Sequence, residues 1–211
     1  MDFSTLHKTP LFSEHQKLGA QVVDFGGWAM PVQYTNVIDE HNCTRQRAGL
    51  YDICHMGEIF FKGTEAEKLL SHVVSRNIEK LEIGQLFLGV MCNERGGIID
   101  DLTVYRLGEE EYMMVTNAST KDKDLNWILK AKNDKGFNVE IDDRSAKIAK
   151  LDIQGPKSEE ILAVDSYWEL VSMSPPRGTI NNIATNDAND IFITAQSGLF
   201  FSNNHGESWN K

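Results

Sequence analysis

The chain has 211 residues, of which 41% are hydrophobic and 25% charged, enough apolar material for one large domain or two small ones and too much for a disordered chain. Lys plus Arg total 21 against 31 Asp plus Glu, a net charge of −10, the reverse of a nucleic-acid-binding balance. No apolar run reaches the roughly 18–20 residues that span a bilayer, and the start, Met1 to Phe12, has neither a signal-peptide nor a transit-peptide pattern.

In chain order, Thr9-Pro10 reads as a cap with proline at the first helical position, opening a helix to about Gly19. Residues 37–48 form a polar helix stopped by Gly49 in the left-handed C-terminal role. Residues 58–62 favour a strand. Thr64-Glu-Ala-Glu67 is a capping box for a helix with Leu69, Leu70, Val73 and Val74 inward. Strands at 86–92 and 98–105 are joined by Asn93-Glu-Arg-Gly-Gly97, and a third runs over 111–116. A helix over about 119–131 turns Leu125, Ile128 and Leu129 inward. Short strands at 137–141 and 147–153 lead to Gly155-Pro156, which opens a last helix to about Ala163. Interleaved helices and hairpins predict an α+β (mixed α/β) domain with mixed sheets and flanking helices, not a doubly wound parallel sheet.

Near residue 165 the chain changes character. Residues 1–165 hold 19 Lys/Arg and 27 Asp/Glu; the last 46 hold two and four, and are rich in Asn, Ser, Thr and aromatics. Residues 180–183, 190–194 and 198–202 are strand candidates, so the expected division is 1–165 as the main region and 166–211 as a short all-β tail.

The densest chemical cluster is Gly96-Gly-Ile-Ile-Asp-Asp101. On a strand Asp100 and Asp101 point to opposite faces, so only one can look into a pocket, where it could bind an amino-substituted heterocycle or orient an amine. An acidic strand start with both groups in water is the competing reading. In Arg47-Ala-Gly-Leu-Tyr-Asp-Ile-Cys-His-Met-Gly57, Cys54 and His55 are neighbours on an extended chain, which argues against a thiol–imidazole pair. His55 reads as structural. Met56 reads as a packing residue, although a thioether suits the face of a flat ring. Asn117, at a strand end, fits either a turn or a ligand amide. Gly26-Gly27-Trp28 lacks the surroundings of a phosphate loop. The cysteines, Cys43, Cys54 and Cys92, are odd in number with no CxxC spacing; they read as free thiols of a cytoplasmic protein, with no metal site.

Taken together, Thr9-Pro-Leu-Phe, Val23-Asp-Phe-Gly-Gly-Trp28, Met30-Pro-Val-Gln-Tyr34, Asp39-Glu-His41, His55-Met-Gly57, Gly96-Gly-Ile-Ile-Asp-Asp101 and Gln154-Gly-Pro156 resemble, in order and spacing, the N-terminal part of the glycine cleavage system T protein family over about residues 8–163. These are aminomethyltransferases. The resemblance implies that a one-carbon unit passes from the aminomethyl-lipoyl arm of the H protein to tetrahydrofolate, with release of ammonia. It implies that Asp101 is the key carboxylate, orienting the folate and supporting developing positive charge. It implies further that Met56, Leu88, Val115 and Asn117 line the pterin pocket, a dry slot between apolar walls. Cys54 stands where the family usually has Ser. Family members continue for about as many residues again, which implies a truncated region of impaired activity.

After residue 165, Ser202-Asn-Asn-His-Gly-Glu-Ser-Trp209 is similar to the Asp-box, with Asn204 in the Asp place, and so to one blade of a BNR-repeat β-propeller. One blade cannot close a ring, and a join of two gene fragments is the favoured reading. Two alternatives stay open: a related folate-dependent demethylase or non-catalytic folate-binding protein, and an interaction module built on the β tail.

Overall fold

A computed structural model describes residues 2–161 in full and residues 162–163 and the strands 180–186, 191–195 and 198–202 as backbone. The elements run α1 (Phe12–Lys17), β1 (Gln21–Phe25), β2 (Trp28–Gln33), α2 (Val37–Gln46), β3 (Gly49–Asp52), β4 (Gly57–Lys62) and α3 (Ala66–Val73). A 3-10 turn (Ile78–Lys80) precedes β5 (Leu86–Cys92), β6 (Ile98–Arg106), β7 (Glu111–Thr116), α4 (Lys121–Lys135) and β8 (Glu140–Asp143). Then come β9 (Ile148–Gln154), α5 (Ser158–Ala163), β10 (Ile180–Asn186), β11 (Ile191–Ala195) and β12 (Gly198–Ser202). The chain forms two compact units, one built on Met56–Ile148 and one from segments before and after it. Both are mixed α and β, as the interleaved pattern predicts. Pro175-Pro176 and the Asp-box-like residues 203–209 lie outside the described residues.

The Met56–Ile148 unit is a five-stranded sheet in the order β5-β6-β7-β4-β8, antiparallel at each neighbour pair. One face carries Ile59, Phe61, Met91, Leu102, Val104 and Met114, packed with Leu69, Leu70 and Val73 of α3 and with Ile128 and Ala131 of α4. These strands alternate in and out because side-chain period and pleat coincide. The 93–97 connection closes through Gly96, at φ +78°, with Asn93 Oδ1 accepting the N–H groups of Arg95 and Gly97 at 2.9 Å each.

In the other unit β1 and β2 form a hairpin in which Phe25 faces Trp28. Its two loop residues, Gly26 and Gly27, sit at φ +60° and +88°, the type I′ combination that matches strand twist and that glycine adopts most readily. β3 pairs antiparallel with β9, and β10 with β11. A polar clasp holds α1 to these strands: His15 Nε2 lies 2.8 Å from Asp52 Oδ2, and the Tyr34 hydroxyl lies 2.8 Å from His15 Nδ1. His55 packs edge-on to Phe25, with ring centroids 5.7 Å apart, and burial lowers its pKa despite the Asp52 charge. Its buried Nδ1 has no hydrogen-bond partner among the described residues. Cys54 Sγ lies 3.3 Å from the Lys150 carbonyl and accepts the Lys150 N–H at 3.2 Å.

Local differences from the sequence pattern have identifiable causes. Helix α1 starts at Phe12, because Pro10-Leu11 first make a turn in which Phe12 N–H reaches the Thr9 carbonyl. Gly49 does not end α2 in the left-handed region. It opens β3 against Gln154, and a Cβ there would meet Thr44 Oγ1 at 2.3 Å, so the glycine answers a close approach. The capping box at Thr64–Glu67 does not form. Glu65 is the residue before α3 and makes no side-chain cap; its carboxylate accepts the Asn138 N–H instead, while Glu67 accepts the Tyr112 hydroxyl. Helix α4 runs on to Lys135 and ends at Gly136, φ +71°. Strand β8 begins at Glu140 because Phe137 packs against the core instead of pairing.

Candidate functional site

The register of the second sheet assembles the expected residues on one face. Leu88 of β5 faces Thr103 of β6, Thr103 faces Val115 of β7, and Val115 faces Glu58 of β4, so these four form a row across the sheet. Asp101 lies two residues before Thr103 and therefore on the same side. Asn117 follows the last residue of β7 and reaches Asp101 with its side chain, while Met56 directly precedes β4, whose Gly57 faces Thr116. Asp101 and Asn117 thus stand beside the row of Leu88 and Val115, with Met56 at the entry to β4. This is the face away from Leu102 and Val104, which join the α3–α4 core.

Burial grades across these residues. Val115 and Glu58 are buried, Met56 and Asn117 half-buried, and Asp101 exposed; Leu88 is 64% exposed. The dry slot expected around Asp101 is therefore not closed by these residues. A recess of about 130 Å³ exists elsewhere in the unit, lined by His72, Cys92, Trp127, Lys130 and Asp134 among others, and includes none of the Asp101 set.

Asn117 ties the site together. Its Nδ2 lies 3.0 Å from Asp100 Oδ1, 3.0 Å from the Asp101 carbonyl oxygen and 3.2 Å from Asp101 Oδ1. Three acceptors share two amide protons, which fixes the amide with its oxygen turned away from the carboxylates. No described residue donates to that oxygen. Among the described residues, none donates to the second carboxylate oxygen of Asp101 either.

Asp100 points the other way, as strand alternation requires. It is 7% exposed, and accepts the Asn117 N–H at 3.2 Å and the Thr120 hydroxyl at 2.8 Å. Burial works against its charge, but these donors outweigh burial and hold its pKa below the usual carboxylate range. Asp124, on α4, is fully buried beside it; burial first, and then the Asp100 carboxylate, push its pKa up to about 7. The sequence pattern left both Thr120 and Asp124 unmarked, since α4 is rich in charge and Asp124 looks there like one more solvated acid. The one available signal was its spacing of four from Thr120, one helical turn.

The residues beside Asp101 can accept hydrogen bonds from a planar ligand bearing N–H groups, and can rest its ring on the Leu88 and Val115 side chains.

The family model described as the GCVT N-terminal domain matches residues 11–183. An aminomethyltransferase of Symbiobacterium thermophilum is 43% identical over 191 residues, 90% of this chain and 51% of that protein. One of Halothermothrix orenii is 46% identical over 168 residues, 80% of this chain and 46% of that protein. The crystal structure of glycine cleavage system aminomethyltransferase T from Bartonella henselae matches at a TM-score of 0.71 and 37% identity, over 75% of this chain and 43% of that one. The chain spans about half the length of the curated relatives it matches.

Proposed function

Because this chain belongs to the GCVT N-terminal domain family, we propose that it is the folate-facing part of a tetrahydrofolate-dependent aminomethyltransferase of the glycine cleavage system. Its substrates on this reading are tetrahydrofolate and the aminomethyl-lipoyl arm of the H protein. The observation that carries the reading is that Asp101, held by Asn117 at 3.2 Å, stands on the same sheet face as Leu88 and Val115. The donor set fits the ligand. A reduced pterin presents N–H groups at its edge and a flat ring, and the site offers carboxylate and amide acceptors beside the apolar side chains of Leu88 and Val115.

In the reaction, a carbon–sulfur and a carbon–nitrogen bond break at the one-carbon unit and two carbon–nitrogen bonds form on the folate. Two N–H protons leave the folate, one with ammonia and one to the freed sulfur, with no change of oxidation state. Asp101 orients the pterin and stabilises the positive charge that develops on the transferring carbon. Asn117 holds the Asp101 carboxylate in place through its amide protons and offers its oxygen to a ligand N–H. Leu88 and Val115 form an apolar wall, with Met56 at the entry to β4.

Asp101 and Leu88 stand open on this chain, and in the family the remaining wall of the channel belongs to the second half. Residues 1–165 are the folate-binding region on this reading. The test mixes the 211-residue chain with aminomethylated H protein and tetrahydrofolate and follows ammonia and methylenetetrahydrofolate. The reading predicts both products in equal amounts, at a rate that Asp101→Asn abolishes. Turnover by Asp101→Asn at the wild-type rate contradicts it.

A further inference from the structure

Asp124 has none of its surface exposed, and neither carboxyl oxygen receives a hydrogen bond from a described donor. The donors near it have other acceptors within reach. Thr120 has one hydroxyl proton, directed at Asp100 Oδ2 from 2.8 Å. The Asn117 amide is taken by Asp100 and Asp101. Lys123 Nζ donates to the Ile99 carbonyl at 2.7 Å. Asp124 meets the Asp100 carboxyl, and two carboxylates in contact cannot both stay ionised where water is excluded. The clash between them is removed when one of the two keeps its proton and donates it to the other. Asp100 already accepts from Asn117 and Thr120, so the proton belongs to Asp124.

We propose that Asp124 is a positioning residue of the Asp101 site: as a neutral acid it donates a hydrogen bond to Asp100, and the Asp100 carboxylate so fixed holds the Asn117 amide that meets Asp101. The consequence for ligand binding rests on the reading of Asp101 given above; the protonation of Asp124 and its hold on Asn117 do not. The charged groups whose fields reach Asp124 are Asp100 on β6, which favours the neutral acid, and Lys123 on α4 itself, which favours the ion. Raising the pH ionises Asp124, sets it against Asp100 and loosens the Asn117 amide.

The test uses the full chain labelled with carboxyl-¹³C aspartate and side-chain-¹⁵N asparagine, followed by NMR between about pH 5 and about pH 8.5, in the wild type and in Asp124→Asn, an isosteric variant that still donates to Asp100. One aspartate carboxyl is expected to titrate near pH 7, the Asn117 amide signals to follow it with the same midpoint, and both transitions to vanish in Asp124→Asn. A midpoint for Asp124 in the ordinary range near about 4, or an Asn117 amide indifferent to it, overturns the proposal. Tetrahydrofolate titrations of the same samples separate the two readings. Wild-type affinity is expected to fall about threefold or more across the transition while Asp124→Asn stays level. Matching NMR transitions with no tetrahydrofolate binding at any pH leave the role of Asp124 standing and remove the folate reading.

Discussion

Asn117 Nδ2 lies 3.2 Å from Asp101 Oδ1 and 3.0 Å from the carbonyl oxygen of the same residue. One amide therefore holds both the side chain and the backbone of the carboxylate on which the proposed chemistry depends. Thr103 faces Val115, and Asn117, just past the end of β7, is placed to reach Asp101 on the neighbouring strand.

Removing the amide tests the tie. Asn117→Ala leaves Asp100 with fewer donors and frees Asp101, and is expected to cost about 1–3 kcal/mol of stability. Asn117→Asp places a third carboxylate in the cluster and is expected to cost more. Urea unfolding of the three chains gives the order wild type, Ala, Asp; an Asp variant as stable as the wild type contradicts the geometry.

The Leu88 side chain separates binding from folding. Leu88 is 64% exposed, so Leu88→Ser is expected to change stability by no more than about 0.5 kcal/mol. If a pterin rests there, the same substitution weakens tetrahydrofolate binding by about tenfold, or about 1.4 kcal/mol. Paired melting and calorimetric titration decide between a ligand wall and an idle surface leucine.

Much of the fold was legible because period-2 strands and glycine turns act locally. The β5–β6 hairpin and the pairing of β7 with it follow from alternation and from Asn93–Gly97. The β1–β2 hairpin is not legible when Gly26-Gly27 is read only against phosphate-loop patterns, although two consecutive glycines also encode a type I′ turn. The opposed faces of Asp100 and Asp101 were legible from alternation alone. What lies beneath Asp100 was not, because a buried acid on a charge-rich helix has the same one-dimensional pattern as a solvated one. The dry slot was expected from family resemblance, and the described residues leave Asp101 exposed.

Helix α4 offers a direct check of facing. Leu125, Ile128 and Leu129 were all expected inward, yet Ile128 is fully buried in the core and Leu129 is not part of it. Ile128→Ala is expected to cost about 2–5 kcal/mol, and Leu129→Ala less than about 1 kcal/mol. Equal losses in chemical denaturation contradict the observed rotation of the helix.

Asp52 gives a pH dependence in the other unit. Burial opposes its charge, but donors including Cys54 and His15 outweigh it, and its pKa lies below the usual carboxylate range. A depressed carboxylate contributes stability that is present above the unfolded value, about 3.9, and is lost as pH falls through the folded value. Asp52→Asn is therefore expected to lose about 1–3 kcal/mol at neutral pH, with the gap closing in acid below about pH 4. A gap that does not change with pH contradicts the charge-assisted clasp.

The most direct measurement is an anaerobic calorimetric titration of the 211-residue chain with tetrahydrofolate, in the wild type and in Asp101→Asn, alongside their melting curves. The account predicts saturable binding by the wild type, weakened by about tenfold or more in Asp101→Asn, with the two chains melting together because Asp101 is exposed. Equal affinity in both chains, or no binding by either, contradicts it.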